Sequence, residues 1–237
     1  MASRGRWERG AESVVTGAAA GWDGGRLWYA AYGSNLHVER FDSYRLGGEH
    51  PGGARAYPGF RDASPPAGSL PLTLTGAVYF ATESPIWHGG RAFYDPEAPP
   101  AAACGEEGVA ARGYLLTREQ FLDLLAQEMY RLPGEGPEPD LAEAVATGRT
   151  RAGEGRYETV VRGGEVDGLP VLTFTAPWGV NDVPGNPPSA AYLRHLLAGL
   201  VAAHGWSTAR AAAYLAACPG AAGHWETGEI AALAGSG

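Results

Sequence analysis

Lysine is absent from this chain of 237 residues: all 18 basic side chains are arginine. That excludes Schiff-base chemistry, and it excludes a Walker-type phosphate loop, which needs its lysine. Cysteine is nearly absent too. Cys104 and Cys218 are too few for a disulfide framework or a cysteine metal site. The six histidines (His37, His50, His88, His195, His204, His224) lack ligand spacing, and no His-Glu-x-x-His occurs, so no metal site is expected. Gly-x-Gly-x-x-Gly after a strand is missing, which removes the reason to expect a dinucleotide cofactor. No stretch approaches the ~20 apolar residues of a membrane span. Arg4, Arg6 and Arg9 precede Ala18-Ala19-Ala20, but Glu8 and Glu12 interrupt them and no signal-peptide core follows. A net charge of -8 and a pI near 5.2 argue against nucleic acid or an anionic membrane surface as the main partner. The expectation is a soluble cytoplasmic protein, free of cofactor and metal.

What is present reads as strands mixed with helices, without the regular alternation of a doubly wound sheet, hence α+β. Strands are expected at 27–32, 72–80, 91–94, 109–116, 157–161 and 169–175, with a short one inside the Gly/Pro/Ser-rich 47–71. Helices are expected from Leu36 to Arg45 and from Arg118 to the stop at Pro133-Gly134, the second opened by a Thr117/Gln120 capping box. Others are expected at 140–146, 189–203 (capped by Ser189) and 207–217 (capped by Ser207). No repeat or linker divides the chain. One domain is expected over 26–225, with flexible tails at 1–25 and 226–237.

Leu27-Trp28-Tyr29-Ala30-Ala31-Tyr32 is an aromatic, apolar run that breaks into Gly33-Ser34-Asn35-Leu36. Gly33 permits unusual backbone angles, and Ser34 or Asn35 can cap the helix that follows. The unpaired N–H groups of such a turn converge where a carboxylate or a developing oxyanion would sit. Tyr32-Gly33-Ser34-Asn35-Leu36 resembles the signature of the γ-glutamylcyclotransferase-like family. Three later segments resemble that family in the same order. These are Trp87-His88-Gly89-Gly90, then Gly113 to Thr117 leading into the helix with Leu124, Leu125 and Glu128, then Pro188-Ser189 with Tyr192-Leu193. The resemblance covers 27–220. It implies a small mixed β-barrel with helices packed around it, a γ-glutamyl substrate, Glu128 as catalytic residue, and a substrate site of Tyr32, Gly33, Ser34, Asn35, Leu36 and Trp87. Two departures stand out: Met129 follows the glutamate where the family commonly has glycine, and 132–156 is long.

The residues make their own case for Glu128. Phe121, Leu124, Leu125 and Met129 mark one apolar helix face, and Glu128 falls on it, whereas Arg118, Glu119, Asp123 and Gln127 fall on the side expected to face solvent. An inward carboxylate near a helix C-terminus is expected to have a raised pKa, which suits a proton shuttle. The competing readings are a structural ion pair with an arginine, Arg40 being one candidate, or a helix-end residue turned outward to solvent. Ser34 lacks the second glycine of a nucleophile elbow and reads better as turn and cap. Tyr29, Tyr114, Tyr130, Tyr157 and Trp87 could line a pocket or fill the core. Arg149, Arg151, Arg156 and Arg162 could be a solvated loop or a lid over an acidic substrate. Besides cyclisation, hydrolysis or transfer of a γ-glutamyl group, or simple binding of such a ligand, stays open.

Overall fold

The computed structural model describes residues 13–14, 21–49, 56–99, 104 and 108–235. Its centre is a mixed sheet of β1 (Ser13–Val14), β5 (Ser69–Leu74), β8 (Val109–Thr117), β2 (Arg26–Ala31), β11 (Leu169–Thr175), β10 (Thr159–Val166) and β9 (Arg149–Arg151), in that order. Central β2 runs antiparallel to β8, with Tyr29 opposite Tyr114, and parallel to β11. The order ends at β1 and β9, which do not pair, so the sheet is open. The expected closed barrel is therefore corrected to an open, helix-covered sheet.

The near-continuous apolar run of β2 follows from burial on both faces. Trp28, Ala30 and Tyr32 enter a core with α4 (Ala190–His204), α5 (Thr208–Ala217) and α6 (Thr227–Ala232). Leu27, Tyr29 and Ala31 enter a second core with α1 (Val38–Leu46), α2 (Arg118–Glu128) and α3 (Leu141–Thr147). The expected strand 72–80 is in fact two. It breaks at Thr75-Gly76 into β5 and β6 (Ala77–Ala81), and β6 pairs with β7 (Arg91–Asp95) as a separate ribbon. Gly76 has φ +93°, and a Cβ there would stand 2.2 Å from the Asp95 carbonyl oxygen, so the break is tied to glycine. A second ribbon joins β3 (Gly48–Glu49) to β4 (Ala56–Tyr57).

The helix caps follow local chemistry closely, but α2 ends at Glu128, ahead of the stop expected at Pro133-Gly134. Thr117 and Gln120 exchange the two hydrogen bonds of the box, and Ser189 and Ser207 cap α4 and α5. The C-terminal segment is not a tail over 226–235. There α6 packs against α4 and α5, Ile230 is fully buried, and the Trp225 indole donates to the Pro188 carbonyl at 2.9 Å. Of the expected N-terminal tail, 1–12 and 15–20 lie outside the described residues. Cys104 and Cys218, 114 residues apart, are joined as a single buried disulfide, a pairing their number alone had not suggested. No described helix is long and apolar enough to cross a membrane.

Candidate active site

A cleft opens where the turn after β2, the loop between β6 and β7, and the C-terminal end of α2 meet. Tyr32, Gly33, Ser34, Asn35, Trp87 and Glu128 all line it. Leu36 does not: it is buried in the core against α4, where Gly199 permits the approach, since a Cβ there would lie 2.5 Å from the Leu36 Cβ.

The turn differs from the expected capped helix start. Residues Ser34–Leu36 form one 3-10 turn, α1 begins only at Val38, and neither Ser34 nor Asn35 caps it. Leu36 and His37 donate their N–H groups to the Gly33 and Ser34 carbonyls. The N–H groups of Gly33, Ser34 and Asn35 have no acceptor among the described residues. Gly33 has a negative φ of -104°, so its importance is space. A Cβ there would stand 3.3 Å from the Tyr192 hydroxyl, which accepts from the Ala92 N–H at 3.3 Å.

Freed from capping, the Asn35 side chain turns to the cleft. Its amide nitrogen donates to Glu128 Oε1 at 3.2 Å and to the Tyr29 hydroxyl at 3.3 Å, and its backbone carbonyl accepts from Tyr114. Glu128 is half-buried, and its backbone carbonyl accepts from Arg156 at 2.7 Å. The phenols around the carboxylate are held neutral. Burial foremost, with the Glu128 charge adding to it, pushes Tyr29 and Tyr44 well above the ordinary phenol range. Tyr192 is pushed up by burial to about 12.

The competing ion pair between Glu128 and Arg40 does not form. Arg40 is 2 % exposed and lines the cleft, with its guanidinium over the rings of Tyr44, Tyr57 and Trp87. Of the four arginines offered as a lid, Arg156 alone reaches the cleft, stacked 4.4 Å over Tyr130. Arg151 pairs with Glu154, Arg162 donates to carbonyls, and Arg149 borders a separate hollow with Trp178. Tyr29, Tyr130, Tyr157 and Trp87 line the cleft, whereas Tyr114 is core. Sequence reasoning missed Tyr44, Ser84, Arg91 and Tyr192 as lining residues. Tyr44 had a signal, four residues beyond Arg40 on one face of α1, and Tyr192 stood in a segment that carried the family resemblance. Among the described residues no group of three or more His, Cys, Asp or Glu is placed to hold a metal ion.

No family model matches the chain. In an alignment 203 positions long that covers 80% of this chain, it is 30% identical to histone deacetylase 5 of Arabidopsis thaliana. It spans only 30% of that protein, whose name describes the whole. Among solved structures, an uncharacterised protein from Homo sapiens aligns over 82% of this chain and 89% of its own, with TM-score 0.41 and 16% identity. A γ-glutamyl cyclotransferase aligns over 90% and 99%, with TM-score 0.38 and 16% identity.

Proposed function

We propose that this chain is a γ-glutamyl cyclotransferase-type enzyme, releasing pyroglutamate and a free amine from a γ-glutamyl amide. The observation that carries this reading is the meeting of Glu128 and Asn35, 93 residues apart, at 3.2 Å in one cleft beside three unused N–H groups. A base and an oxyanion cradle side by side are what intramolecular aminolysis requires.

Glu128 takes a proton from the substrate's α-ammonium group. The freed amine attacks the γ-carbonyl carbon, forming the ring C–N bond, and the oxygen gains negative charge at the N–H groups of Gly33, Ser34 and Asn35. The ring nitrogen then gives up a second proton. Glu128 relays both protons to the departing nitrogen as its C–N bond breaks, so the amine leaves as an ammonium ion. Nucleophile and electrophile belong to one molecule, so folding the substrate back on itself supplies roughly 7–11 kcal/mol of the barrier reduction. A positioned base adds on the order of 10²–10⁴-fold. The chemistry needs neither metal nor organic cofactor.

Heavy-oxygen water separates this reaction from its competitors. With a panel of γ-glutamyl amines, the expected product is unlabelled pyroglutamate, equimolar with the released amine, and acetylation of the substrate's α-nitrogen stops turnover. Labelled glutamate as the primary product would instead establish hydrolysis, and no product from any member would leave binding alone.

A further inference from the structure

A guanidinium buried without a carboxylate in contact is costly, because a charge at a distance repays its desolvation only in part. Arg40 is in that state. Its Nη2 donates to the hydroxyls of Tyr44 (3.2 Å) and Tyr57, and three aromatic faces surround it. Its Nε is buried without an acceptor, and no described group accepts from its Nη1. Burial disfavours its charge, whereas the hydrogen bonds to the Tyr44 and Tyr57 hydroxyls and the field of the Glu128 carboxylate favour it. A persistent, desolvated cation facing a cleft with unused donors is complementary to an anion.

The placement of Glu128 says which anion. Of the three arginines that line the cleft, Arg91 donates to the Glu83 carbonyl and Arg156 to the Glu128 carbonyl. That leaves Arg40 and the cleft's one carboxylate, Glu128, which do not pair with each other. A free α-amino acid head carries the matching pair, a carboxylate and an ammonium group on one carbon.

We infer that Arg40 anchors the substrate's α-carboxylate while Glu128 receives its α-ammonium group. This rests on the cyclotransferase reading and deepens it. The N–H groups of Gly33, Ser34 and Asn35, which could hold either a carboxylate or an oxyanion, are thereby left to the γ-carbonyl oxygen. Arg40 belongs to the same strand–turn–helix unit as those groups, so one local element presents both anion subsites.

The test measures binding, without turnover, of L-pyroglutamate and of its carboxamide to the full chain and to R40M and R40K by calorimetry, with thermal midpoints alongside. The wild type is expected to prefer the carboxylate by roughly ten- to a hundredfold, the worth of one charged hydrogen bond. R40M should bring that ratio close to one, with an unchanged or higher midpoint. R40K, which keeps the charge and loses the planar donor array, should fall between. A wild type with no preference, or with no binding of either ligand, overturns the assignment, as does R40M with its preference intact. Should R40M not fold, R40K with the wild-type ratio overturns it equally. Failure of the cyclotransferase reading is separable: labelled glutamate in heavy-oxygen water with the Arg40-dependent preference present rejects cyclisation and retains the anion subsite.

Discussion

Glu128 accepts from the Asn35 amide and faces phenols whose ionisation is opposed by burial and by its own charge. Replacing it with glutamine keeps an oxygen for Asn35 to donate to and removes only the charge and the titratable proton. Glu128→Gln is therefore expected to abolish turnover, by at least the 10²–10⁴-fold of a general base. The folded state should persist, with a thermal midpoint equal to or above that of the parent. Activity within a few-fold of the parent would remove Glu128 from the chemistry. Loss of the folded state would point to a structural charge. At this scale, the place of Glu128 and of the turn after β2 at the cleft was legible, because glycine, short polar residues and a lone acid on an apolar face are local signals; the 3-10 form of that turn was not. The role of Asn35 was not, since its partner is 93 residues away.

Among the elements, α2 shows how far periodicity reaches. Glu119 and Asp123 occupy one face of the helix by spacing, yet Glu119 is exposed and Asp123 is fully buried. The loop after β4 covers that side: Arg61 meets Asp123 through its backbone N–H at 2.8 Å and its guanidinium at 2.7 Å. Gln127, also expected at the surface, donates to the carbonyls of Tyr44 and Gly59. Asp123→Ala should thus cost roughly 1–3 kcal/mol, the penalty of an unsatisfied buried donor, moderated because the half-exposed Arg61 side chain can rehydrate. Glu119→Ala should stay within about 0.5 kcal/mol. Urea unfolding with unchanged slopes checks both, and equal effects would contradict the burial of this face. The cap of α2 was legible because Thr117 and Gln120 interact within a single turn.

Across the whole molecule, nine of the eleven tyrosines have their ionisation pushed up, in each case foremost by burial. An unfolded tyrosine loses its proton near pH 10, while these stay protonated in the folded state until higher pH. Above pH 10 the unfolded chain binds fewer protons, so stability falls as pH rises; below pH 10 these groups add no pH dependence. Each group titrating only in the unfolded state removes about 1.4 kcal/mol per pH unit. Several together exhaust a typical 5–15 kcal/mol within about two units. Phenolate absorbance should therefore rise cooperatively with the loss of circular dichroism. A gradual rise in a chain that stays folded would show these hydroxyls to be accessible.

Most of the central strands, the capped starts of α2, α4 and α5, and the place of the turn after β2 were written within a few consecutive residues. Steric preference, capping and periodicity act over that range. The opening of the sheet, the splitting of 72–80 at Gly76, the burial of Asp123 and Gln127, the docking of α6 and the pairing of Cys104 with Cys218 were not. Each depends on a group brought from tens of residues away, whose arrival decides whether a polar atom meets water or protein. Arg40 shows this most directly: its charge was evident from the chain, but its lack of a carboxylate partner exists only once Tyr44, Tyr57 and Trp87 have closed around it.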